Sequence, residues 1–217
     1  LGHVEEVSRA RQCLKAAGRI VSHMNAPMKP VTLPAPSPPG ALVQQLGKYA
    51  TYHRDPRNIT THFFGVPMIV LAVTSFLSRP GFELFGLALS PVWFVVAAAA
   101  VFYFRLDVRF GLTMTGLLIG SAFISSFIAA QSTPVWLIAS AGLFIVGWVI
   151  QFVGHYYEGK KPAFVDDLVG LLLGPLFVTA EAGFHLGLRL EVKAEIEKVA
   201  GPTKLRQLDG GSPSLSK

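Results

Sequence analysis

Between residues 61 and 188 the chain is a succession of long apolar runs separated by short polar breaks. Four runs, Thr61 to Leu77, Phe82 to Phe104, Phe110 to Ala130 and Val135 to Gly154, approach the roughly 20 residues a helix needs to cross a hydrocarbon layer about 30 Å thick. The breaks SRPG, RLDVR and QSTP are short enough to make successive helices antiparallel neighbours, which predicts a compact bundle. A fifth apolar stretch, Leu168 to Leu188, differs because Gly174-Pro175 interrupts it and Glu181 and His185 lie inside it. Ahead of the first run, ALVQQLGKYATYH places Leu42, Leu46 and Tyr49 at helical intervals, so a short amphipathic helix is expected there. The pattern predicts an all-α fold: an integral membrane helical bundle of four transmembrane helices plus a fifth apolar helix that is re-entrant or interfacial.

Composition supports a membrane protein. Hydrophobic residues make up 51% of the chain and charged residues 15%, against about 25% charged in soluble globular chains, and the mean hydropathy is +0.48. The net charge of +6 does not form a basic stripe interleaved with aromatics, which argues against nucleic acid as a partner. It reads instead as charge flanking the spans. Both tails, Arg105 and Arg109, and Lys160 and Lys161 are basic, whereas QSTP carries no cation and SRPG only Arg79. With a non-crossing fifth segment this alternation places both termini in the cytosol, in the cytoplasmic membrane of a bacterium or the endoplasmic reticulum of a eukaryote. The single cysteine, Cys13, excludes an intramolecular disulfide and a multi-cysteine metal site. The first residues show no signal-peptide core, and Met24 and Met28 are candidate starts. The run KPVTLPAPSPPG (Lys29 to Gly40) has linker composition. The expected division is a disordered N-terminal tail and linker over 1–40, a membrane-embedded catalytic domain over 41–190 and a cytosolic C-terminal tail over 191–217.

The candidate chemistry lies where polar groups crowd the membrane boundary. YHRDPRNITTHFFGVP (Tyr52 to Pro67) precedes the first span, and QFVGHYYEGKKPAFVDD ends the fourth. The topology puts both on one face. Asp55 and Pro56 fit an N-cap and first helical position, with Asn58 as a second candidate cap, and Pro67 should make the helix irregular one turn beyond His62. Gln151, His155 and Glu158 share a helical face by their spacing, and Glu181 and His185 repeat the i, i+4 relation. Ionisable groups at membrane segments are costly and are usually paired or functional. Taken singly, His53 and Arg54 suit headgroup contacts, His62 suits a structural role at a helix entry, and Glu158 beside Lys160 suits a surface ion pair. Taken together, His53, His62, His155 and a carboxylate supply imidazole and oxygen donors of the kind that hold non-haem iron. Zinc accepts the same donors. The six histidines are too few, and wrongly spaced, for the histidine boxes of membrane di-iron hydroxylases.

The stretches YATYHRDPRNITTHFFGVPMIV (Tyr49 to Val70), WVIQFVGHYYEGKKPA (Trp148 to Ala163) and LLLGPLFVTAE (Leu171 to Glu181), in this order and separated by hydrophobic spans, resemble the membrane family that contains the yeast 2-hydroxy fatty acid dioxygenase. The likeness covers Leu42 to Leu188. It implies an iron(II)-dependent enzyme of fatty acid α-oxidation that uses dioxygen to shorten a 2-hydroxy fatty acid by one carbon. The family's histidines match His53, His62 and His155, which the resemblance makes the metal ligands, and its polar positions match Asp55, Asn58, Gln151, Glu158 and Glu181. Glu158 and Glu181 join the histidines as candidate catalytic residues. His185 falls outside the family pattern. A 2-hydroxy carboxylate can chelate Fe(2+) through its hydroxyl and one carboxylate oxygen, so no organic cofactor is needed. Arg54, Arg57, Asn58, Gln151 and Lys160 are the candidate substrate-binding residues, and the acyl tail is expected among the apolar helices. Two other classes fit parts of the pattern: a non-enzymatic polytopic protein such as a transporter or assembly factor, and a zinc-dependent membrane lipid hydrolase. A transporter would favour charges near the midplane between repeated halves, and the chain shows no internal repeat. Oligomeric state is not encoded in any of these features.

Overall fold

The computed structural model describes residues 40–79, 81–84, 86–163 and 169–207. Their element order is α1 (Ala41–Ala50), α2 (Pro56–Ser78), β1 (Phe82–Leu84), β2 (Leu87–Leu89), α3 (Pro91–Leu106), α4 (Val108–Ala129), α5 (Thr133–Glu158), α6 (Gly170–His185) and α7 (Leu190–Ala200). The expected N-terminal tail and nearly all of the linker, at 1–39, lie outside the described residues. Helices α2, α4 and α5 are long and apolar enough to cross a membrane, and α3 is apolar but shorter, at 16 residues. The fold is an all-α membrane bundle carrying one small antiparallel hairpin, in which Phe82 pairs with Leu89.

The bundle is built inside out relative to a water-soluble protein. Phe123, Ile138, Ile145 and Phe152 point outward and are more than half exposed. Inside, Thr74, Ser75, Ser121, Ser125 and Ser140 are buried, and their hydroxyls join helices: Thr74 Oγ1 to Ser125 Oγ at 2.7 Å, and Ser75 Oγ to Ser140 Oγ at 2.7 Å. Lipid tails solvate apolar side chains as well as a core does, so small residues and hydroxyls take over the work of joining helices.

Helix α2 is the axis, packed against α3, α4, α5 and α6. Its closest approach is to α5, where glycines leave no room for a Cβ. A Cβ on Gly65 would sit 2.8 Å from the Gly147 carbonyl, one on Gly147 would sit 2.8 Å from Ile69, and one on Gly154 would collide with Thr61 Oγ1. Replacing Gly147 by leucine should therefore force α2 and α5 apart. The expected cost is about 1–3 kcal/mol, seen as a lower unfolding temperature in detergent.

Cross-links fix helix direction. Asn58 meets Glu158 and Ser75 meets Ser140, so α2 and α5 run antiparallel, whereas Thr74 meets Ser121 and Ser125 well along α4, which runs with α2. The starts of α2 and α4 and the end of α5 consequently share one end of the bundle. The chain leaves α5 at that end and returns to it after α6, where Arg189 pairs with Asp107 at 3.0 Å. The residues that follow α6 thus lie at the same end of the bundle as the end of α5.

Several expectations about local structure need correction. The second apolar run does not begin a helix at Phe82: residues 82–89 form the hairpin, and Pro91 takes an early helical position, where its missing N–H costs nothing. The first span begins at Pro56 rather than Thr61 because Asp55 caps it, its side chain accepting from Arg57 N. Asn58 is inside that helix and is not a cap. Pro67 does not interrupt it: α2 is continuous from Pro56 to Ser78, and Pro67 stands on its exposed side. The segment expected as a tail from residue 191 opens as α7, which packs on α1 and buries Val192 and Ile196. The remainder of that tail, 208–217, lies outside the described residues.

Candidate metal centre

His53 lies in the short connection between α1 and α2, His62 is two turns into α2, and His155 is one turn from the end of α5. All three are buried. The antiparallel packing of α2 on α5 gathers them, with ring centroids 4.5 Å apart for His53 and His62, 5.0 Å for His53 and His155, and 5.2 Å for His62 and His155. One nitrogen from each lies within 4.8 Å of the others.

Hydrogen bonding fixes what these nitrogens can be. His53 Nδ1 lies 2.9 Å from the Tyr49 carbonyl and His62 Nδ1 lies 2.8 Å from the Asn58 carbonyl. A carbonyl only accepts, so each Nδ1 carries the proton and each Nε2 is left with a bare lone pair. Those two Nε2 atoms face each other at 3.1 Å. Burial and the neighbouring His62 and His155 hold His53 well below its ordinary pKa, which keeps it in the neutral form a metal requires. His155 adds a buried Nδ1 with no hydrogen-bond partner. Two converging lone pairs and an orphaned ring nitrogen repel one another unless a cation lies between them, so the donor set fits a metal ion.

The carboxylates are engaged elsewhere. Glu158 accepts from Arg54 N at 3.0 Å, Asp55 N at 2.8 Å and Asn58 Nδ2 at 3.2 Å. It thereby clamps the backbone next to His53 to the end of α5. Glu181 lies 3.6 Å from an Arg54 guanidinium nitrogen, while other Arg54 nitrogens donate to the Ala50, His53 and Gly201 carbonyls. The structure therefore brings together the three histidines as one group and sets Glu158 and Glu181 around the loop that carries His53.

The other candidate residues divide by what they touch. Gln151 is buried and lines a cavity of about 70 Å³ together with His62, His155 and Trp148, and its Nε2 has no partner. Asn58 holds the Tyr52 carbonyl and Glu158. Arg57 is paired with Asp55 at 2.8 Å and lies over the Tyr157 ring at 4.6 Å. Lys160 donates to the Thr51 carbonyl at 2.6 Å. His185 stands apart from the three histidines, against Phe63.

Sequence reasoning missed two supports. Tyr49 stacks on His53 at 4.3 Å with an interplanar angle of 9°, and its carbonyl sets that imidazole's tautomer. The segment after α7 crosses the doorway: Arg206 N donates to Asp55 Oδ2 at 2.8 Å, its carbonyl accepts from Arg57 at 2.6 Å, and Lys204 N donates to the Arg54 carbonyl at 2.9 Å. These bonds use main-chain atoms of the last described residues, and no side-chain pattern reports them.

The Arg57 guanidinium and the Arg206 amide push the Asp55 carboxyl down to about 2. Because the folded-state value lies below the unfolded one, near 3.9, Asp55 contributes its full stability above about pH 4, and that contribution is lost as pH falls through the folded value. Acid unfolding of Asp55→Asn, followed by circular dichroism in detergent, should begin from a lower stability at neutral pH and change less between pH 4 and 2 than that of the parent protein.

No solved structure matches the chain. A curated relative, the 2-hydroxy-palmitic acid dioxygenase MPO1 of Saccharomyces cerevisiae, is 35% identical over 160 residues, covering 72% of this chain and 87% of the relative. The family described as 2-hydroxy-palmitic acid dioxygenase Mpo1-like matches residues 41–186, the interval from the start of α1 to the end of α6 that holds every histidine of the cluster. The chain belongs to the Mpo1-like family.

Proposed function

We propose that the protein is an iron(II)-dependent membrane dioxygenase that shortens long-chain 2-hydroxy fatty acids by one carbon. The observation that carries this reading is the buried group of His53, His62 and His155, whose facing Nε2 lone pairs need a cation. The relative's printed activity, that of a 2-hydroxy-palmitic acid dioxygenase, supplies the substrate class.

The overall change breaks the bond between the carboxyl carbon and C2. The 2-hydroxy acid and one dioxygen give the acid one carbon shorter, carbon dioxide and water, and the four electrons removed from the two carbons reduce the dioxygen. Bound iron(II) supplies activation of dioxygen and an anchor for the substrate hydroxyl and carboxylate. His53, His62 and His155 hold it through neutral nitrogens, and the Tyr49 and Asn58 carbonyls keep two of those rings in the ligating tautomer. Glu158 holds the His53 loop in place. Gln151 offers its unpartnered Nε2 to an oxygen of the acid head. Arg57 is paired with Asp55 and Arg54 with Glu181, so Lys160 at the doorway is the cation that draws the acid head, from the cytosolic side where both termini lie.

A second reading rests on the same donors: three imidazoles also suit zinc, and a zinc-dependent lipid hydrolase would use them. The test is to load anaerobically purified protein with iron(II), supply 2-hydroxypalmitate in detergent and measure pentadecanoate by mass spectrometry alongside dioxygen uptake. Pentadecanoate dependent on both iron and dioxygen is expected, with palmitate and 3-hydroxypalmitate much poorer substrates because they cannot form the same chelate. Product formed equally well without iron or dioxygen would overturn the mechanism, and zinc as the retained, active metal would favour the hydrolase.

A further inference from the structure

The small cavity beside His62 and His155 has a larger neighbour. It shares Val66, Val70 and Pro175 with a larger groove of about 310 Å³ between α2, α4 and α6. From the metal centre outward, the lining changes from the unpartnered amide of Gln151 and the histidine edges to Leu117, Ile124 and Val178. One end is polar, buried and short of a hydrogen-bond partner, and the other is apolar and opens where the helices face lipid. A molecule complementary to this shape has an acid head and one long hydrocarbon tail.

We infer that the groove between α2, α4 and α6 is the acyl-tail site, and that Gly116 and Gly120 on α4 set the length of chain it accepts. The inference rests on the reading of the protein as a 2-hydroxy fatty acid dioxygenase. The two glycines are one turn apart and both line the groove. A Cβ at either position meets nothing within 4 Å. This separates them from Gly65, Gly147 and Gly154, which close packing requires, and from Gly86 and Gly159, whose positive φ favours glycine. Neither packing nor backbone conformation calls for glycine at 116 or 120. Glycine also lowers helix stability by about 1 kcal/mol relative to alanine. What the missing side chains supply is open groove, on the side of Val66 and Pro175 away from the histidines.

A leucine at Gly116 or Gly120 has a Cβ that meets nothing within 4 Å, and its side chain would take up space in the groove that both residues line. The Gly120→Leu and Gly116→Leu proteins should fold and retain iron. Relative to the parent, the ratio of kcat/KM for 2-hydroxystearate to that for 2-hydroxydecanoate should fall about tenfold or more, in line with the 10- to 200-fold discrimination a single methylene can give in an apolar pocket. A 2-hydroxy acid with a diazirine at the tail end gives a readout independent of turnover: its label should fall on α4 between Leu117 and Ser121 or on Val178 of α6. Turnover in the parent with an unchanged length ratio in both variants, or with label elsewhere, would overturn the groove assignment alone. Label on α4 in a parent protein that turns over no 2-hydroxy acid would support the groove and defeat the dioxygenase reading. Absence of both would defeat both.

Discussion

Alanine at His53, His62 or His155 is expected to abolish metal retention and turnover while the protein still inserts and folds. Each ring supplies one of three converging nitrogens, and removing any of them leaves two. Loss of a residue that only orients a ligand costs about 10- to 100-fold in metal affinity or activity, so loss of a ligand should exceed 100-fold. The rings differ in their surroundings, which makes the three variants separable. His53 is the least attached to a transmembrane helix and is sandwiched against Tyr49, so its removal should also loosen the loop. His62 and His155 are carried by α2 and α5, which also meet through Gly65, Gly147 and the Ser75–Ser140 bond. Metal content by mass spectrometry of detergent-purified variants, beside a thermal unfolding curve, provides the check. Full iron occupancy in all three variants would rule out the shared centre, and loss at only one or two would redraw the ligand set.

The second large effect is expected at Glu158. Its carboxylate accepts the backbone N–H groups of Arg54 and Asp55 and the amide of Asn58, all across the contact between the doorway loop and α5. Glutamine has nearly the same shape but removes the charge and puts an amide donor in place of Oε1, facing the Arg54 N–H, which lies 3.0 Å from both oxygens of the glutamate, and leaving that new donor without an acceptor. An unsatisfied buried donor costs about 1–3 kcal/mol. Glu158→Gln should therefore lower the unfolding temperature and, by releasing the loop that holds His53, weaken iron binding by about 10- to 100-fold. Glu158→Asp, a methylene shorter, should recover part of both. Unchanged thermal stability together with complete loss of iron would instead make Glu158 a ligand.

Much of this site was legible in the sequence because it is local. Asp55-Pro56 announced the start of α2, and the spacing of Gln151, His155 and Glu158 announced one buried face near the end of α5. The distinctness of the fifth segment was visible in Gly174-Pro175 and in its internal charge, and it forms α6, a helix with Pro175 inside it. Less legible was the hairpin at 82–89, since three-residue strands within an apolar run give no periodicity to distinguish them from a helix. Pro67 lies inside α2, which runs on to Ser78 despite the N–H that proline lacks.

What the sequence determined by itself was the succession of apolar helices and the placing of His53, His62 and His155 at the polar ends of those segments. Those properties follow from hydrophobic length and from charge, which are sums over neighbouring residues. What only the tertiary structure decided was the role of each polar group. A glutamate committed to backbone amides rather than to a metal, and His155 and Gln151 brought beside His62, are relations between segments roughly a hundred residues apart. Spacing along a chain can bring a histidine to the right depth, and the carbonyl four residues back fixes the atom that His53 and His62 present, but His155 and Glu158 join them only when α2 closes on α5.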